Sequence, residues 1–360
     1  MFRQSVFSIL LLVISRMAFA SDEVVEFYLS SHVFGYSETA PIAQIVIDDF
    51  EGPDFDGGNH SFTHNVWEAG AIVNGFKLAG IARYDYALNY TRDLAYLVYA
   101  DKNEVPIEKN RPYELNLSVF HARTAGLKVG YQFDIHEDMH WGVDVSYLEV
   151  STFLDGDIDG AITVLDDDYQ GDIHLDYVYD SDKLLDRQAD KPEGQGFTVD
   201  LAWDWQVNRK LSFAAKWVDL YSAIKIERAP FTTATASSNR VSLDPLGRID
   251  VKPVLSGREN YREHTLNFPR QMRLEGRYWV QESRQLGLRF YRYDRINFVS
   301  ASILQMLKEE WSVDGEYNFS AQAVTLGVTH STFRLALSSD RLDLERARTF
   351  GLISEFRLAF

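Results

Sequence analysis

The stretch TAGLKVGYQFDIHEDMHWGVDVSYLEV, residues 124–150, decides the fold. Leu127, Val129, Tyr131 and Phe133 take alternate positions on the way out, and Trp141, Val143, Val145 and Tyr147 take them on the way back. A period of two is the period of a β-strand, whose side chains point alternately to its two faces. Two neighbouring strands joined by a polar turn therefore share one apolar face, with Lys128 and Asp144 on the other.

The pattern recurs on both sides of this hairpin. VWEAGAIVNGFKLAGIARYDYALNY, residues 66–90, folds back at Asn74-Gly75, the dipeptide favoured by a two-residue type I′ turn. In residues 193–227, Phe197, Val199, Leu201, Trp203 and Trp205 share a face, followed by Leu211, Phe213, Ala215 and Trp217 on the next strand. RQMRLEGRYWVQESRQLGLRFYRY (270–293) and AVTLGVTHSTFRLAL (323–337) repeat it. Such segments number about 12 to 16, many near the roughly 9 to 11 residues of a tilted membrane strand.

Residues 1–20, MFRQSVFSILLLVISRMAFA, have the layout of a cleaved secretory signal: Arg3, an apolar run from Val6 to Ile14, and Ala18 and Ala20 around Phe19. Cleavage is expected before Ser21, leaving one domain over residues 21–360. The formal charge of -17 becomes more negative by two once Arg3 and Arg16 are removed. A charge of this sign excludes nucleic acid as a partner, since nothing offsets repulsion from phosphates. The chain has no cysteine, which excludes disulfides and thiolate chemistry in the oxidising space an exported protein enters.

A soluble sandwich also alternates, but three features favour a membrane barrel. Short turns at Asn74-Gly75 and Glu282-Ser283-Arg284 alternate with long polar loops near 152–194 and 229–268. Trp141, Trp203, Trp205, Tyr278 and Trp279 cluster toward strand ends, where amphipathic rings suit the interface. The final strand, GLISEFRLAF, alternates Leu352, Phe356, Leu358 and Phe360 and stops on the aromatic.

On that ending the chain resembles the porin-like class of Gram-negative outer-membrane β-barrel proteins. The resemblance implies that Phe356, Leu358 and Phe360 are the signal read by the barrel-assembly machinery, and that the cell outer membrane is the destination. The expected architecture is all-β: a transmembrane antiparallel up-and-down barrel of about 14 strands (range 12–16), with both termini in the periplasm. Outer-membrane lipid and lipopolysaccharide are the expected surroundings, and a homo-oligomer is compatible with the class.

If the apolar face meets lipid, the other face lines the lumen and carries the candidate site. Glu68, Lys77, Arg83, Lys128, Asp144, Asp200 and Asp204 fall on it in earlier strands, and Arg273, Glu275, Arg277 and Arg289 in later ones. Opposed acidic and basic walls select solutes by charge. The leading expectation is a channel or export-associated pore for small polar solutes. The alternative is a non-conducting structural or surface-interaction barrel whose paired charges fill the lumen and whose acidic loops bind cations.

DGDIDGAITVLD, from Asp155, places Asp155, Asp157, Asp159 and Asp166 at positions 1, 3, 5 and 12 of a calcium-loop spacing, with Gly160 at the turn. No helix pattern flanks it, so the expectation is an acidic outer hairpin, with calcium as the one candidate cofactor. DDFEGPDFDGGNH (48–60) reads as a flexible polar turn around Asp54 and Asp56. A surface hydrolase is the third reading. Asp155/Asp157 with Asp172/His174 match the short D-x-D and D-x-H patterns of omptin proteases without their surroundings, and His60-Ser61 and His330-Ser331 depart from the H-x-S spacing of barrel lipases. The expectation is that the protein is not an enzyme.

Overall fold

Alternating residues build strands, and in order these are β1 (Val25–Ser37), β2 (His60–Val73), β3 (Phe76–Tyr90), β4 (Pro112–Glu114), β5 (Leu117–His136), β6 (Met139–Val164), β7 (Tyr169–Tyr179), β8 (Gly194–Gln206), β9 (Leu211–Ser237), β10 (Val241–Leu243), β11 (Ile249–Val251), β12 (Val254–Leu266), β13 (Gln271–Gln281), β14 (Arg284–Tyr293), β15 (Ile296–Met306), β16 (Ser312–Asn318), β17 (Ala323–His330), β18 (Phe333–Ser339) and β19 (Thr349–Ala359). The computed structural model describes residues 25–46, 50–165, 169–182, 189–238, 241–243, 249–251, 254–308 and 310–360. The signal segment and Asp166 lie outside the described residues.

Fourteen of these strands form a closed antiparallel barrel. Its order is β1, β2, β3, β5, β6, β8, β9, then β13 to β19. The seam is the β1–β19 ladder from Glu26↔Ala359 to Tyr36↔Thr349. It is extended by reciprocal backbone bonds between Val25 and Phe360, with N···O distances of 3.2 and 3.0 Å. Closure matters because a bilayer core offers no water to an open strand edge.

The two ends differ as the turn pattern predicts. At one end lie the termini and tight turns such as Asn74-Gly75, whose φ values of 50° and 79° are the left-handed pair a type I′ turn requires. At the other end the wall rises further. β6 pairs with β8 over its first half and with β7 over its second, and β9 likewise pairs with β8 and then β7. On its other edge β9 pairs first with β13 and then with β12. Both stretches read as long loops are therefore largely hairpins that continue the barrel wall.

The acidic hairpin expected here is the β6–β7 pair, and Gly160 is not at its turn. Asp155, Asp157 and Asp159 sit in the middle of β6. At about 3.3 Å of rise per residue, alternate carboxylates stand roughly 6–7 Å apart along a strand rather than around one cation. Gly156 and Gly160 are packed against β7 backbone instead of bending the chain.

The outward face is a belt of exposed apolar side chains including Leu29, Phe76, Val129, Leu288, Leu326 and Leu335. Trp141, Trp203, Trp205, Phe213, Tyr278 and Trp311 gather near the short-turn end. Phe356, Leu358 and Phe360 also point outward, Phe360 at 76% exposure. The barrel interior is not polar throughout: in the long-loop half, Leu148, Phe153, Ile224, Ile226, Leu266 and Phe268 form a buried cluster. There the inward positions of β6 and β9 change from polar to apolar, and the interior packs shut.

Strand contact is closest at Gly126, where an added Cβ would stand 1.8 Å from the Tyr147 carbonyl oxygen; at Gly80 the nearest atom would be 3.9 Å away. Gly126→Val is expected to reduce the folded fraction sharply in a heat-modifiable gel-mobility assay, while Gly80→Ala leaves it unchanged. Equal yields for the two variants would contradict this packing.

Candidate functional site in the barrel lumen

Parity places Glu68, Lys77, Arg83, Lys128, Asp144, Asp200, Asp204, Arg273, Glu275, Arg277 and Arg289 on inward-facing strand positions. They do not form opposed acidic and basic walls; that picture is corrected by their pairing. Lys128 Nζ donates to Glu68 Oε1 at 2.5 Å and to Asp200 Oδ2 at 3.3 Å. Lys77 donates to Asp144 at 2.8 Å. On the far wall Arg289 bonds Glu316 and also Glu275, the latter at 3.3 Å, and Arg277 bonds Asp204 at 3.4 Å. Acids and bases are thus interleaved, because an unpaired charge taken out of water costs several kcal/mol, roughly, and a paired one much less.

Midway along the barrel these side chains cross it. Arg83 of β3 reaches Asp219 of β9 through two bonds of 2.7 and 2.8 Å and holds Asp85 at 3.1 Å. Asp219 is on a β-bulge with φ 54°, which turns its carboxylate inward. Asp85 Oδ1 accepts from His64 Nδ1 at 2.5 Å, and the His64 ring meets Gln271 of β13 at 3.2 Å. Arg83 is 4% exposed, Asp85 1% and Asp219 0%. The Arg83 guanidinium also lies 4.1 Å over the Phe268 ring.

Above this layer the lumen is closed by rings. Phe62 of β2 stacks on Tyr293 of β14 with centroids 3.9 Å apart. These strands lie on opposite sides of the barrel, so the two walls touch. Phe34, Tyr36, Tyr291 and Phe298 complete the septum, with Tyr36 and Phe298 at 4.9 Å. Sequence reasoning missed Asp85, Lys216, Asp219, Glu316 and these aromatics. Asp85, Lys216 and Glu316 are inward by simple alternation and were legible; Asp219 was hidden by the bulge, which shifts parity by one.

Beneath the septum an unfilled cavity of about 460 Å³ runs from His64 and Gln271 to Gln132 and Arg357 near the short-turn end. A second cavity of about 570 Å³ lies at a notch in the wall. It forms where β9 residues 219–223 lack a ladder partner on the β12–β13 side, and residues 267–270 cross the interruption. Inward Ala87, Phe120 and Gln271 line it together with outward Trp217, Leu220 and Met272.

A closed ladder, an apolar outer belt and a charged interior now stand together. The chain is a closed 14-stranded antiparallel β-barrel with an apolar outer belt. No family model matches it, and no curated protein does. Among solved structures it is similar to the Pseudomonas putida toluene transporter TodX, at 10% identity over 95% of this chain and 89% of that one, with a TM-score of 0.44. It is also similar to the Ralstonia pickettii toluene transporter TbuX (9% identity, 94% and 89%, TM-score 0.31). A Pseudomonas aeruginosa FadL homologue gives 12% identity, 94% and 90%, and a TM-score of 0.26. Likenesses of this size carry nothing about a solute, and the architecture rests on this chain's own ladder.

The remaining candidates are placed as follows. Asp155 faces His264, Nε2 to Oδ2 2.7 Å, while Asp157 lies opposite Asp176 and Asp159 opposite His174. Among the described residues no three metal-ligating side chains converge. Asp172 lies opposite Ala161 in the ladder, three pairs from the Ile158↔Leu175 pair, and His174 meets Thr235, so the D-x-D and D-x-H pairs do not meet as dyads. His60 bonds Asn89, Ser61 bonds Tyr90, and His330 stands beside Ser331 at a tight turn at the opposite end.

Asp54 and Asp56 are not in a free turn. Asp54 accepts two bonds from Arg346 at 2.7 and 2.9 Å, and Asp56 pairs with Arg348, tying the β1–β2 loop to the β18–β19 loop. The Arg346 guanidinium beside Asp54 holds its carboxyl below the ordinary range. A depressed carboxyl pKa contributes stability above its unfolded value and loses it as pH falls through the folded one. Spin labels at Glu51→Cys and Glu345→Cys, clean in a cysteine-free chain, should give a narrow distance at neutral pH that broadens only below the ordinary carboxylate range; Arg346→Ala should broaden it at neutral pH. In the mid-barrel network, Asp219→Ala is expected to cost about 3 kcal/mol in urea unfolding, the lower end for breaking a buried pair because Asp85 still faces Arg83. A cost near zero would remove the network from the stability account.

Proposed function

We propose that the protein is a gated channel for small polar solutes in the outer membrane of a Gram-negative cell, held shut by the aromatic septum. The observation that carries this reading is the cavity left unfilled beneath Phe62 and Tyr293 and lined by charged side chains. A barrel built only as a scaffold would gain by filling that space, since a void forfeits packing contacts. The seal, made of this septum and the apolar cluster around Leu148 and Ile224, consists of side chains alone. Each ring pair contributes about 0.5–1.5 kcal/mol beyond its burial, so it can part without breaking a backbone ladder. In this reading the short-turn end faces the periplasm, Phe356, Leu358 and Phe360 serve the assembly machinery, and the hairpin extension with its acidic strands faces lipopolysaccharide.

A second reading is favoured by the wall notch. Its lining by Phe120, Phe268, Trp217, Leu220 and Met272 suits an apolar solute passing between the outer leaflet and the interior.

Planar-bilayer recording separates the two. Phe62→Ala with Tyr293→Ala should raise the conductance several-fold over a mostly closed wild type. A folded double variant that passes no ions would sink the polar-channel reading. Uptake of a neutral apolar probe that is abolished by Leu220→Arg would then support the notch.

A further inference from the structure

Two cations in the lumen have been left without acids. Lys216 of β9 and Arg273 of β13 are direct partners in the ladder and both point into the cavity below the septum. Among the described residues, neither has a carboxylate oxygen within 4.0 Å. The acids nearest to them are already engaged: Glu68 and Asp200 by Lys128, and Glu275 and Glu316 by Arg289. Among the described residues the contact that holds Arg273 is the Tyr291 ring, 5.5 Å from its guanidinium carbon, and its planar set of N–H donors lines the cavity. Eight Lys and Arg line the cavity, and six of them are ion-paired, which leaves Lys216 and Arg273.

We propose that Lys216 and Arg273 form an anion-binding subsite inside the lumen that takes a small organic monocarboxylate. The proposal rests on the channel reading above and names the solute class its cavity would admit. A carboxylate matches the fork of Arg273, which donates two parallel bonds, while Lys216 supplies a point charge from the neighbouring strand. The acids close by disfavour a dianion, whose second charge would face Glu68 and Glu316. The remaining lining favours an apolar body: Phe34, Val66, Ile81, Val218 and Tyr291 lie around and above the cation pair. A volume of about 460 Å³ suits a molecule of that kind.

The test uses the whole barrel in detergent and isothermal titration with benzoate, its neutral isostere benzyl alcohol, and inorganic phosphate. Benzoate is expected to bind at least tenfold more tightly than the other two. Lys216→Gln and Arg273→Gln should each weaken it about tenfold, with Lys210→Gln at the short-turn end as a control that leaves it unchanged. Folding of each variant is verified by gel mobility, and Arg273→Lys, which keeps the charge but loses the fork, should bind with intermediate strength. No benzoate binding by wild type, equal binding of benzyl alcohol, tighter binding of phosphate, or unchanged binding by both glutamine variants would each overturn the subsite. Bilayer currents keep the two claims apart: binding without any current in the septum variant overturns the channel and leaves the subsite, whereas current without binding does the reverse.

Discussion

The seam between β1 and β19 is the constraint on which everything else depends. In hydrocarbon each unpaired backbone N–H or C=O costs several kcal/mol, roughly, so a sheet of this length must close on itself. The last residue takes part, since Phe360 exchanges backbone bonds with Val25. Once the sheet is closed, strand parity assigns every side chain either to lipid or to lumen. Apolar residues then have no hydration reason to go inward, and charged residues have no other place to go.

Closure leaves an interior that must be either filled or wet, and this barrel does both at different heights. In the long-loop half, Phe62, Tyr293, Phe298 and the cluster around Leu148, Ile224 and Phe268 fill it. In the short-turn half, interleaved pairs such as Lys128 with Glu68 and Asp200 line a space that stays open. The Arg83–Asp219 link sits between the two. It satisfies a guanidinium that is cut off from solvent and that the apolar septum would not accommodate, and it links β3 to β9 across the lumen.

The long strands β5, β6 and β9 explain why the stretches read as loops are not loops. The second halves of β6 and β9 pass beyond the barrel strands β8 and β13 and recruit β7 and β12 as replacement partners. On the β12–β13 side of β9 the ladder is interrupted at residues 219–223, beside the bulge at Asp219 that turns a carboxylate inward. One local irregularity thus positions both the buried ion pair and the notch in the wall.

By itself the sequence determined the strand text, the even count and, away from the bulge at Asp219, which residues face inward. The reason is that a period of two is read directly from the alternation at Leu127, Val129, Tyr131 and Phe133 and needs no tertiary information. The Asn74-Gly75 turn was legible for the same local reason. Only the tertiary structure decided which inward residues meet. Phe62 and Tyr293 are 231 positions apart on opposite walls, and no local pattern fixes that their rings meet. It also decided that Asp155, Asp157 and Asp159 lie along a strand, because the pairing with β7 that keeps them extended is a long-range hydrogen-bond pattern, whereas the spacing of their carboxylates is a local one.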